Sequence, residues 1–331
     1  MPRLGAVFVH FHTPALLVEA VAALVADWRS SGIEVGRDGE IVIVEHGNDD
    51  AGRAQLADLP ATYLDPGSNP GFAAGANLGA AELIARGVEV LLFINPDVFV
   101  RAGCTAALWA ELARGAWAAG PLFFWDREGR ILLPPTERRT RTDELLSALA
   151  SRGGGWAERA RRRWRGHARE HWLASVPLAT AALSGGLLAI SRSAWETIGP
   201  FDAEYRLYFE ETDWLLRLVR HGGVSRLVPA AQAVHLHGRS AVAEPAAAQW
   251  FEESAARFRA RFYGERFASV LARAARKEGD SNASRRETPR FERFPATGLD
   301  LARLAQVSSS DWPLWVELSP RSIGFPAAAE R

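Results

Sequence analysis

The sequence predicts an α/β fold, a mostly parallel sheet covered by helices on both faces. Strand-like and helix-like stretches alternate with short links from the first residues onward. One stretch, Leu91 to Ile94, is continuously apolar with no internal turn signal, as in a strand buried on both faces. It stops at Asn95-Pro96-Asp97, where Pro96 has no N–H to give to a ladder.

Gly5 to His10, "GAVFVH", reads as the first strand. Pro14 to Trp28 follows as a helix with Leu17, Val21, Leu24 and Val25 on one face, Pro14 in its first turn and Thr13 as N-cap. A second strand spans Ile41 to Val44, and a weaker third spans Thr62 to Leu64. The glycine- and proline-rich "DPGSNPGFAAGANLG" then runs into a helix that leads to the central strand, Glu89 to Ile94. In open α/β sheets the ligand crevice lies beyond the carboxyl ends of the strands, so Asp97 sits where a carboxylate can hold a hard cation against a phosphate. Asn95-Pro96-Asp97 equally suits a plain turn.

Ala118 to Phe124 is a further strand, closed by a turn over Asp126 to Gly129. Between about 137 and 175 the character shifts to an arginine-rich helical insertion, with six arginines in "RARRRWRGHAREHW". One reading is a basic surface for anionic lipid, polyphosphate or nucleic acid. The favoured reading is a solvated helix with Trp156, Trp164 and Trp172 packed inward. Leu183 to Ile190 returns to strand composition, with Gly185 and Gly186 inside it. Ser193 and Glu196 have capping-box spacing for a short helix ending near Gly199. Glu210 to His221 is a helix stopped by Gly222, and Asp213 and Arg217 lie four apart on it as a surface pair. Val224 to Val228 is a strand, followed by "VHLHG" at 234–238. Trp250, Phe251, Phe258, Phe262 and Phe267 mark one amphipathic helix over 246–276, packed on the main domain. A polar linker at 277–290 and a tail of unknown role at 291–331 complete the chain, behind a main domain of 1–245.

The 331 residues carry 39 basic and 39 acidic side chains, so nothing global points to nucleic acid as a partner. Lys277 is the only lysine. The single cysteine, Cys104, excludes an internal disulfide framework and a cysteine-built zinc site, and fits a reducing, cytoplasmic location. No stretch reads as a signal peptide or membrane span. Oligomeric state is not legible.

Six blocks in fixed order carry a resemblance: "VFVHFHTPALL", "IVIVEHGNDD", "NPGFAAGANLG", "LLFINPD", "LSGGLLAISRSAWETIGPFDAEYRLYFEETDWLLR" and "VHLHGRSA". With them the chain resembles the family 2 glycosyltransferases, nucleotide-sugar enzymes of GT-A fold, and among them rhamnosyltransferase-like members. The resemblance covers about 4–270 and implies a GT-A fold with the arginine-rich insertion and a C-terminal helical or irregular extension.

Roles follow from the resemblance, position by position. Asp97 matches the family's metal carboxylate, with Asn95 in the place where the usual motif has another acid. His235 matches a late histidine that completes the coordination of a divalent cation, manganese or magnesium, and His237 competes for that place. Glu45, with the backbone around His10, Phe11 and Thr13, falls where the nucleobase is held. Gly71, Gly75 and Asn77 fall on the nucleotide side. Glu211 matches the catalytic base, in the pair Glu210-Glu211. Asp202, Glu210, Gly185 and Gly186 match the acceptor side and its support.

The implied activity is inverting transfer of a sugar, rhamnose first, from a thymidine- or uridine-diphosphate donor. The implied acceptors are a glycan, a glycolipid of the cell envelope or a small molecule. The work would be done in the cytoplasm or at the inner face of the membrane, where the insertion, on its basic-surface reading, is a candidate for peripheral contact. Glu45, Asn95 and Glu211 depart from the family's usual residues, which keeps a second expectation open, a catalytically silent relative that binds nucleotide sugar or glycan. A sugar-phosphate nucleotidylyltransferase has a similar sheet, but the glycine-rich, basic first loop it needs is here His10-Phe11-His12.

Overall fold

A computed structural model describes residues 2–47, 50–236, 246–275, 316–318 and 328–330. Strand β1 (Leu4–His10) lies between β2 (Gly39–Glu45) and β4 (Val90–Ile94), parallel to both, and β3 (Thr62–Leu64) extends this parallel part beyond β2. All seven residues of β1 are buried, as are the five of β4. The uninterrupted apolar runs follow from that two-sided burial.

The other half is mixed. β9 (Leu187–Ser191) runs antiparallel to β4 on one side and to β6 (Ala118–Phe124) on the other. The expectation of a mostly parallel sheet therefore holds for β1 to β4 and for the strand Ser225–His235, which runs parallel to β6, and fails at β9. The chain reaches β9 through the insertion instead of through a crossover helix, so it enters from the opposite end. The glycine pair expected inside that strand lies just ahead of it. β10 (Ser225–His235) is a single strand where two separate segments were expected, with its register shifted between Val228 and Gln232. Pro229 sits in that irregularity, where its missing N–H costs no ladder bond. Beyond it β10 pairs antiparallel with β5 (Val98–Val100), setting His235 opposite Val98.

Helix α1 (Pro14–Ser30) buries Leu17, Val21, Leu24 and Trp28 against one face of the sheet. Thr13 occupies its N-cap position without making the expected side-chain bond. α3 (Phe72–Ala85) covers the other face with Ala73, Ala76, Ala80 and Leu83. On that helix a Cβ at Gly79 would stand 2.5 Å from Val7, so glycine there sets the closeness of packing. α4 (Cys104–Ala113) has no capping side chain of its own. Asp27 of α1 supplies it, accepting from Gly103 N at 2.6 Å and Thr105 N at 3.0 Å. A buried carboxylate on free helix N–H groups satisfies the dipole and staples two helices. Asp27→Ala is expected to cost about 2 kcal/mol, read as a lower urea midpoint at unchanged m-value.

Helix α7 (Arg192–Ile198) starts two residues earlier than the capping-box reading implies. Ser191, not Ser193, accepts from Ala194 N. The insertion is an antiparallel pair, α5 (Arg141–Ala150) and α6 (Gly154–Trp172). Trp164 and Trp172 are buried as expected, but Trp156 is 41% exposed at the start of α6. The expected single C-terminal helix is two, α9 (Ala247–Tyr263) and α10 (Glu265–Ala275), broken at Gly264 with φ 83°. In the tail, β11 (Val316–Leu318) pairs with β12 (Ala328–Glu330), which adds antiparallel to the short β7 (Ile131–Leu132). Among the described residues no helix is long and apolar enough to cross a membrane.

Candidate functional site

The reversal after β4 and the end of β10 meet at one edge. Asp97 is 1% exposed, and its Oδ1 stands 3.5 Å from His235 Nε2, while its backbone carbonyl accepts from Leu236 N. The β5–β10 pairing fixes this meeting, because Val98 opposite His235 places the preceding carboxylate against the ring. A buried carboxylate oxygen and an imidazole nitrogen are both donors to a divalent cation. Among the described residues no group of three or more His, Cys, Asp or Glu could hold a metal. Two protein donors suit a cation whose remaining positions are filled by phosphate oxygens and water. His237 lies outside the described residues.

Gly185 and Gly186 join this pair to the glutamates. Asn95 N donates to Gly186 O at 2.9 Å, which seats the glycine loop on the β4 turn. A Cβ on Gly186 would lie 2.7 Å from His235 Nδ1, and one on Gly185 would lie 3.2 Å from Glu211 Cγ. The two glycines thus form the thin wall between His235 and Glu211. A side chain at Gly186 would push His235 from Asp97.

Helix α8 (Glu210–Arg220) begins directly after Tyr208 and Phe209, two consecutive non-glycine residues with φ of 67° and 71°. That left-handed pair turns Glu210 and Glu211 back toward the sheet edge. Left-handed backbone at bulky residues is costly and persists only where packing over-determines it. Here Phe209 rests on Phe251 and Phe258, Tyr208 on Phe251, and the Arg139 guanidinium lies 4.9 Å over the Phe209 ring.

Glu210 is buried and Glu211 partly so, and among the described residues neither Oε2 has a hydrogen-bond partner. Burial, reinforced by Glu211, holds the Glu210 carboxyl well above the ordinary range. Burial also raises Glu211, opposed by helix N–H groups and by the Arg139 charge. Burial pushes the Tyr208 phenol up too, with the charges of Glu210 and Asp97 adding to it. Sequence reading missed Tyr208 and Arg139. Arg139 hid among many arginines, yet it is only 18% exposed and pairs with Glu137 and Glu144.

Other expected residues serve the scaffold. Thr13 N donates to His10 Nε2 at 2.9 Å, so the ring proton is on Nδ1, which donates to Glu45 Oε2 at 2.7 Å. Gly47 N donates to the other oxygen of Glu45. His10 and Glu45 are buried and tie β1 to β2, and each Glu45 oxygen already accepts one bond from the protein. Phe11, His12 and Gly47 remain at the mouth of that edge.

Gly71 and Gly75 admit close approach by protein, not by a ligand. A Cβ at Gly71 would meet Arg206 backbone at 2.5 Å, and one at Gly75 would meet the His46 ring at 2.7 Å. Asn77, expected to face the nucleotide, spends both ends of its amide on Phe201, donating to its carbonyl and accepting from its N–H. Asp202 binds Arg257 and Arg261 of α9 and so anchors the loop before α8. Asp213 is fully buried between Arg217 at 2.7 Å and Arg261 at 2.9 Å, which corrects the reading of a surface pair.

No family model matches the chain. It is 28% identical over 229 residues, 66% of its length, to an N-acetylglucosaminyl-diphospho-decaprenol L-rhamnosyltransferase of Mycobacterium tuberculosis, of which it covers 73%. It is 22% identical over 204 residues, 61% of its length, to a dTDP-rhamnosyl transferase of Shigella flexneri, and covers 61% of that protein. Similar solved structures include GalNAc-T7 with UDP, GalNAc and Mn2+ (TM-score 0.48, 15% identity), covering 71% of this chain and 44% of that one. Another is a mannosyltransferase of Pyrobaculum calidifontis with GDP-Man and Mn2+ (TM-score 0.46, 14% identity), covering 84% of this chain and 88% of that one.

Proposed function

We propose that this chain, a rhamnosyltransferase-like glycosyltransferase of family 2, moves a sugar with inversion from a nucleoside diphosphate to an acceptor hydroxyl. Rhamnose is the sugar that the names of its relatives favour, with thymidine or uridine diphosphate as the leaving group. A lipid-linked glycan is the acceptor class favoured by the first of those names. The observation that carries the reading is the convergence of Asp97, His235, Gly185-Gly186 and Glu211 at one edge of the sheet.

The acceptor hydroxyl gives its proton to the Glu211 carboxylate as its oxygen bonds to the anomeric carbon. The bond from that carbon to the diphosphate breaks in the same in-line step, and the nucleoside diphosphate leaves with the electron pair. Asp97 and His235 are the residues that would hold a manganese or magnesium ion, whose chemistry is to neutralise charge on the leaving diphosphate. Glu210, whose carboxyl burial holds well above the ordinary range, stands beside Glu211 as a hydrogen-bonding partner for a sugar hydroxyl. The backbone of Phe11 to Thr13 and Gly47 frames the base, with Glu45 held beside it by His10 and Gly47.

Thermal melting against nucleoside diphosphates tests donor and cation together. Thymidine or uridine diphosphate is expected to raise the melting temperature further with manganese than without. Ligand at a hundredfold over its Kd adds about 2.7 kcal/mol to stability. Asp97→Ala should abolish the manganese-dependent part. A protein stabilised by guanosine diphosphate alone would overturn the pyrimidine donor, and nucleotide binding without release of diphosphate in the presence of acceptor would favour a silent binder.

A further inference from the structure

We propose that the outer face of α6 is a docking surface for an anionic lipid bilayer. The chain as a whole is neutral, yet this helix holds six arginines against two glutamates. Two of the six are spent inward: Arg161 is buried and Arg163 binds Asp143 of α5. The outward stripe, at alternating spacings of four and three, reads Gly155, Arg159, Arg162, Gly166, Arg169, Leu173, and all six are exposed. Two glycines on that stripe keep it flat, and the guanidinium groups stand above it, Arg162 sharing Glu158 of the same helix at 2.8 Å.

Apolar side chains close both ends. Trp156 is 41% exposed at the start, with Arg159 5.3 Å from its ring, and Leu173 and Val176 are 46% and 68% exposed at the finish. Nineteen residues of helix give a contact line of about 28 Å, long enough to lie along a surface. Arginines facing a membrane are drawn to anionic headgroups, and tryptophan and aliphatic tips enter the interfacial layer beside them. Duplex nucleic acid would use the same charge but gives no reason for exposed Trp156, Leu173 and Val176. The opposite face of α6 is already packed, with Trp164 and Trp172 in the core and Trp172 Nε1 donating to Leu133 O. The helix therefore has one free side, and a surface that takes it leaves the fold intact.

Vesicle sedimentation with the full chain decides the matter. Binding to vesicles of phosphatidylcholine mixed with phosphatidylglycerol is expected, with little binding to phosphatidylcholine alone and weakening as salt rises. Changing Arg159, Arg162 and Arg169 together to Glu should lower the vesicle partition coefficient by roughly 100-fold, with donor release in vesicle-free solution unchanged. A second variant, Trp156→Ser with Leu173→Ser and Val176→Ser, should lose binding that survives high salt. Equal binding to neutral vesicles, or full binding by the arginine variant, would overturn the proposal. So would retention by duplex DNA or polyphosphate at salt that frees the chain from vesicles. The vesicle-binding readouts involve no sugar transfer, so they stand or fall apart from the proposed activity.

Discussion

Glu211→Gln is expected to lower the rate of sugar transfer by roughly 10²–10⁴-fold, with nucleotide-induced thermal stabilisation unchanged. The amide keeps the shape of the side chain against Gly185 but cannot take a proton. Transfer that survives the change would remove Glu211 from the role of base. The working form is the carboxylate, and burial raises its pKa. Turnover should therefore climb with pH through a limb lying above the ordinary carboxylate range, then level off. Arg139 opposes that rise, so Arg139→Met should carry the limb to higher pH while Arg139→Lys restores part of it. A limb that stays in place would mean that the guanidinium only packs on Phe209.

Stability runs with the opposite sign. Both glutamates bind protons more tightly folded than unfolded, so their contribution is fully present below the unfolded value of about 4.3. It is lost as pH rises through the folded values. The site is thus built against the stability of the chain at neutral pH, as expected where function fixes a carboxyl in a dry place.

Asp213→Ala is expected to destabilise the fold by about 3 kcal/mol, near the low end for breaking a buried pair, since both guanidinium partners keep some access to water. Arg217 would lose its anchor while still donating to the carbonyls of Ile198 and Pro200, and Arg261 would keep only Asp202. This carboxylate links α8 to α9 through Arg261, beside the bonds that Trp214 and Arg217 of α8 make to the carbonyls of Gly199 and Pro200. Thermal unfolding reads the loss as a fall of roughly 6–12 °C. A change within 2 °C would mean that the arginines repack at little cost.

The fold was legible where periodicity and burial agree. β3 and β6 have the bounds that their composition suggests, and α1 buries the stripe of Leu17, Val21 and Leu24. Legibility failed where the outcome depends on distant partners. The reversed direction of β9 is set by the route of the chain, which no local pattern records. Asp213 and Arg217 have the spacing of a surface pair, and only the arrival of Arg261 from α9 makes them a buried cluster. Asn77 offers the same amide to a nucleotide or to the backbone of Phe201, and the choice is made by a loop more than a hundred residues away. Asp97, His235 and Glu211 come from strand ends and a helix start far apart in sequence. The ordered blocks named them, and the β5–β10 register and the glycine wall bring them together.

The left-handed backbone at Tyr208 and Phe209 sets what these two positions can become. Glycine at either would relax the kink, yet it would also remove the ring that pins it and leave the glutamates free to swing. Valine, isoleucine or threonine would crowd their own carbonyls there. Drift at the two sites is therefore confined to side chains that tolerate the kink and fill the aromatic nest, and a catalyst selected for robustness alone would have straightened this corner.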